Sequence, residues 1–90
     1  MELGNAYPNP FNHNVIIPIT LEKRGIISIT IFDIKGQMIT SWMNRFSEGG
    51  KKIIYWDGIN RSGELVSAGT YFIRVTDTDI SKTKKIVYLK

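Results

Sequence analysis

The sequence predicts an all-β protein, an antiparallel β-sandwich of about seven strands, and three observations carry that expectation. Apolar residues recur with period two along most of the chain, so alternate side chains face one layer and helix has almost no place. β-Branched residues dominate those positions, which suits a pleated, half-buried surface. Turn-forming Gly, Asn, Asp and Ser then interrupt the pattern every eight to twelve residues or so, the spacing of short strands in a sandwich.

Residues 1–90 are expected to form one domain, a proline-rich lead-in over 5–13 followed by the sandwich body over 14–90. The stretch Tyr7-Pro-Asn-Pro-Phe-Asn12 is not mid-strand, because neither proline donates to a ladder and each pushes its predecessor toward extended geometry. Such a segment can lie along a sheet edge without inviting a partner strand. Tyr7 and Phe11 are its expected anchors, and it is a candidate for a short seventh strand. In 14–21, Val15, Ile17, Ile19 and Leu21 share a face, while Pro18 on the other argues for an edge strand.

Ile27, Ile29 and Ile31 alternate with Ser28 and Thr30, as in a strand with one dry and one wet face. Asp33-Ile-Lys-Gly36 reads as a tight turn, because Asp accepts bonds from its own following backbone and Gly36 takes a positive φ cheaply. The return strand, 37–43, carries Ile39 and Trp42 three apart, a spacing that predicts a bulge.

A loose turn over 47–50 leads to the strand 52–57, where Ile54 and Trp56 are assigned to the core because a buried tryptophan contributes the larger apolar area. Glycines at 58, 63 and 69 mark a long loop, with Leu65 and Val66 expected to tuck it down. Tyr71, Ile73 and Val75 then share one face of a strand, with Phe72 and Arg74 on the other. A turn at Asp77-Thr-Asp79 precedes the last strand, 82–90, where Ile86 and Tyr88 oppose Val87 and Leu89. Gly69→Ala is expected to destabilise by more than ~1 kcal/mol, and Gly69→Asn by less, if Gly69 holds a positive φ.

Composition narrows the function. Hydrophobic content of 42% with 22% charged residues is that of a globular chain, and the absence of cysteine removes disulfides and thiol chemistry. No apolar run approaches a membrane span, so no direct membrane insertion is expected, and the first residues lack the basic start and apolar centre of a signal peptide. For an exported domain, the leader then lies elsewhere on a longer chain. The net charge of +4 belongs to the end of the chain, where Lys82, Lys84, Lys85 and Lys90 follow Asp79 with no further acid.

Candidate chemistry fails largely by inventory. His13 is the only histidine, with no partner to activate a nucleophile or complete a zinc site, and is read as a solvent-facing loop residue. Nearly all the carboxylates lie in turns, and Asp77 with Asp79 offers too few oxygens for a stable calcium site. Asn60-Arg-Ser62 matches a glycosylation acceptor triplet, a weak pattern. Lysines on a final strand are more often protection against edge aggregation than a nucleic-acid platform, so no nucleic-acid partner is expected. An exposed row of Tyr55, Phe72 and Tyr88 would instead favour sugar contact.

In order, YPNPFN (7–12), IFDIKG (31–36), WDG (56–58), SGELVSAGTYFIRV (62–75) and KKIVYLK (84–90) resemble the C-terminal sorting domain of proteins exported by the type IX secretion system of Bacteroidota, type A. The likeness spans about Asn5 to Lys90. It implies an immunoglobulin-like sandwich that carries no catalytic, cofactor-binding or metal-binding residue and is covalently part of a larger cargo chain. The implied partners are the outer-membrane secretion translocon and a cell-surface sortase-like peptidase that removes the domain. The implied route is the periplasm in transit, then the cell surface or the extracellular space.

By resemblance, the translocon-recognition candidates are Pro8, Pro10 and Phe11 in the proline motif, Gly69 and Tyr71 in the G-x-Y motif, and Lys84, Lys85 and Lys90 in the terminal motif. A translocon could read such an end through charge and through a final strand open to β-augmentation. The family often continues the proline motif where this chain has His13-Asn14, and often has proline where Leu65 stands. Flagellar hook-capping proteins contain similar pieces in an immunoglobulin-like domain, so a binding or spacer module, of carbohydrate-contacting or hook-capping type, is the alternative.

Overall fold

The computed structural model describes residues 1–78 and 80–90. Seven strands follow one another: β1 (Glu2–Leu3), β2 (Val15–Leu21), β3 (Gly25–Asp33), β4 (Met38–Phe46), β5 (Gly50–Trp56), β6 (Gly69–Asp77) and β7 (Ile80–Tyr88). They form two antiparallel sheets, β1-β2-β5 and β4-β3-β6-β7. The chain changes sheet three times, between β2 and β3, between β4 and β5, and in the long loop before β6, which places the two layers face to face.

The core follows the predicted alternation. Val15, Ile17 and Ile19 of β2, with Ile54 and Trp56 of β5, meet Ile27, Ile29 and Ile31 of β3 and Tyr71, Ile73 and Val75 of β6. The intervening residues of β3 and β6 form the outer face of the second sheet. There Arg74 lies over the Phe32 ring at 4.6 Å, and Thr30 and Ser41 oxygens stand 3.4 Å apart.

The two local devices read from sequence are present. The Asp33 carboxylate accepts from the backbone N–H groups of Lys35 and Gln37, each at 2.9 Å, and Gly36 has φ +84°. Ile31 pairs with Thr40 and Phe32 with Met38, so Ile39 is the unpaired residue of a bulge.

Four expectations change. The seventh strand is β1, not the proline segment, and Met1 and Leu3 join the core. Strand β2 is central, and the donorless side of Pro18 faces the interrupted flank beyond β1, where the Gly4 N–H donates to the Pro18 carbonyl at 2.8 Å. Val66 tucks the long loop down, whereas Leu65 stays exposed. The last strand begins at Ile80, and the predicted turn at Asp77-Thr-Asp79 falls partly on Asp79, outside the described residues.

Candidate functional site

The proline segment crosses from one sheet to the other. Tyr7 exchanges backbone bonds with Ile16 of β2, its N–H donating at 2.9 Å and its carbonyl accepting at 2.8 Å. Four residues later Phe11 pairs in parallel with β7: its N–H donates to the Val87 carbonyl at 2.9 Å, and its carbonyl accepts from the Leu89 N–H at 2.8 Å. Between them the Asn9 side chain stands in for a strand, donating to the Lys85 carbonyl at 3.0 Å and accepting from the Val87 N–H at 2.9 Å. Proline suits this path because the segment needs few donors of its own. Both bonds preceding the prolines are cis.

Phe11 is the true anchor, at 1% exposure, while Tyr7 is held by its backbone and leaves its ring half exposed. The Phe11 ring stacks on Tyr88 with centroids 5.0 Å apart and tilts against Trp56 at 6.0 Å; Trp56 meets Tyr71 edge-on at 5.5 Å. Such aromatic pairs add about 0.5–1.5 kcal/mol each beyond their buried area. The polar tips are satisfied, with the Trp56 indole N–H donating to the Ile59 carbonyl at 3.0 Å and the Tyr71 hydroxyl to the Ser67 carbonyl at 2.6 Å. The latter is the tyrosine-corner arrangement of immunoglobulin-like sandwiches. Burial raises the Tyr71 pKa above its ordinary value, helped by the Asp33 carboxylate and by Tyr88.

The sequence candidates therefore gather at one corner of the sandwich. Gly69 is paired with Tyr88, and Tyr71 with Ile86, so the G-x-Y motif lies beside the terminal strand. Phe11 and Tyr71 are buried, whereas Pro8, Pro10, Gly69, Lys85 and Lys90 are exposed. Lys84 is half-buried on the inward side of β7, and its ammonium donates to the Asn5 amide oxygen at 3.3 Å. Two further residues belong here. Asn9 carries the clamp, and Gly58 lies so close to the Tyr88 ring that a Cβ there would come within 3.2 Å of it. The period of the pattern reveals neither, because each acts through a contact remote in sequence.

Beside this corner is a groove of about 410 Å³ lined by residues that include His13, Asp57, Leu65, Tyr88 and Lys90. His13 is exposed, as expected of a loop residue. Among the described residues, no three His, Cys, Asp or Glu side chains are grouped to hold a metal. The aromatic row imagined for sugar contact does not exist: Tyr55 stands on the outer face of one sheet, Phe72 on that of the other, and Tyr88 is buried. In the acceptor triplet, the Asn60 side-chain oxygen takes the N–H groups of Ser62 and Glu64 and so shapes the loop.

No curated protein matches the chain. Among solved structures it resembles part of dimeric latent PorU from Porphyromonas gingivalis, with a TM-score of 0.80 at 18% identity over 96% of this chain and 9% of that one. Hook-capping FlgD from Xanthomonas campestris gives a TM-score of 0.69 at 23% identity over 91% of this chain and 59% of that one. PorZ, a surface component of the type IX secretion system of P. gingivalis, gives 0.64 at 22% identity, with 96% and 11% covered. The chain thus spans well under two thirds of each of these proteins, and the likeness establishes an immunoglobulin-like fold. The profile of the secretion system C-terminal sorting domain matches residues 5–89, and the chain belongs to that family.

Proposed function

We infer that the chain is a non-enzymatic signal domain that directs an attached cargo through the type IX outer-membrane translocon and is then removed at the cell surface. Family membership supports the sorting role and export to the cell surface or the extracellular space. Passage through the periplasm, the covalent link to a larger cargo and removal by a sortase-like peptidase are the finer parts of the proposal. The domain is one unit over 1–90, with the lead-in at 5–13 and the body at 14–90.

The observation that carries this reading is the clamp of the proline segment onto β7. It brings the proline, G-x-Y and terminal-lysine motifs to one corner, where Pro8, Pro10, Lys85 and Lys90 are exposed together. The buried members, Phe11 and Tyr71, position that corner, and the exposed members are offered to the translocon. Fusing residues 1–90 to the C terminus of a periplasmic reporter tests it. The reporter should reach the cell surface or medium in a host with the type IX system and stay inside a strain lacking the translocon. Equal retention of the reporter with and without the domain contradicts the reading.

A further inference from the structure

We propose that the open half of the β7 edge, Ile80–Lys84, is a docking strip for an extended acidic segment of a partner protein, which adds to the four-stranded sheet as a further strand. The proposal rests on the sorting reading and names the chemistry of the partner at that corner. Backbone parity defines the strip. Val87 and Leu89 turn their polar backbone groups away from β6 to meet Asn9 and Phe11, so by ladder alternation Ser81 and Thr83 do the same. The proline segment covers this edge from Lys85 to Leu89. The edge alongside Ser81 and Thr83 lies before that cover begins. An edge that already accepts one extended segment in its second half offers the same geometry in its first.

The side chains select the occupant. Lys82 and Lys84 alternate on the inward side of β7, opposite Val75 and Ile73. Charges pointing inward on an edge strand reject apolar and basic strands, which would bury them unpaired. An incoming strand with carboxylates at alternate positions meets the exposed Lys82 ammonium and replaces the Asn5 amide oxygen, 3.3 Å away, as partner of the Lys84 ammonium, while Lys85 and Thr83 flank it on the other face. A second copy is a poor occupant, because β7 against β7 sets lysine against lysine. The lysines that guard the edge against aggregation thereby become its specificity.

The test uses the full cargo chain and reads the exported fraction together with the melting temperature of the domain. Thr83→Pro removes an outward N–H and leaves the ladder to β6 intact, a position where an edge strand tolerates proline. Lys82→Glu with Lys84→Glu reverses the charge and leaves the backbone alone. Each variant should lower export about tenfold or more, as expected from losing main-chain pairing or reversing charge at a binding strip, with melting little changed. Normal export by the charge-reversed protein overturns the proposal, and so does normal export by a stable Thr83→Pro protein. If Thr83→Pro fails to fold, the charge reversal decides alone. Deleting residues 1–90 separates the two levels: unchanged export then removes the sorting reading itself, whereas lost export with both variants normal removes only the strand-addition proposal.

Discussion

At Gly69 the backbone runs at φ +151°, and no atom lies within 4 Å of where a Cβ would sit, so a side chain there meets torsional strain and not a clash. That angle is far from the left-handed well near +57° which asparagine tolerates. The advantage expected for asparagine therefore disappears. Gly69→Ala and Gly69→Asn should each destabilise by about 1–3 kcal/mol, measured by denaturant unfolding. Two residues on, the Tyr71 hydroxyl combines a short bond to the Ser67 carbonyl with a pKa raised by burial and by Asp33. The folded state thus holds the phenolic proton more tightly than the unfolded chain, whose value is near 10.0. Its contribution is fully present below pH 10.0 and is lost as pH rises through the higher folded value. Unfolding curves at neutral and alkaline pH should show Tyr71→Phe losing about 0.5–1.5 kcal/mol at neutral pH, with a shallower alkaline decline than the parent.

The proline segment and β7 act as one element, although almost the whole chain separates them. Asn9→Ala removes both side-chain bonds of the clamp and should cost about 1–3 kcal/mol. Amide exchange should accelerate at Val87 and Leu89 while the central β3 amides keep their protection. Uniform acceleration across both sheets would show that the clamp is not a separable unit. How legible these elements were follows from what forms them. The faces of β3, β5 and β6 and the Asp33 turn are local patterns that stand where the sequence puts them, and the bulge expected in the return strand is present, its position at Ile39 set by the pairing with β3. Strand β1 has two residues and therefore no period to read, and Pro18 is accommodated mid-sheet because Gly4 accepts its close approach. Leu65 and Val66 are both apolar, and only the packed loop decides which turns inward.

At the scale of the molecule, the motifs that identify the family divide by burial. Phe11, Trp56, Tyr71 and Tyr88 make one aromatic cluster, so much of the motif order encodes how this corner folds. Phe11→Ala should cost about 3–5 kcal/mol and loosen the corner as a whole, a loss that thermal melting would register. The exposed prolines and lysines lie outside that cluster, and sequence nominates them only through resemblance and, for the lysines, through the charge at the chain's end, because an exposed surface leaves no periodicity. The most direct measurement is therefore the exported fraction of the intact cargo after changing Lys84, Lys85 and Lys90 together to glutamine, with the melting temperature of the domain followed in parallel. The account predicts that cargo accumulates inside the cell while melting stays close to that of the parent. Undiminished export of the triple variant would contradict it.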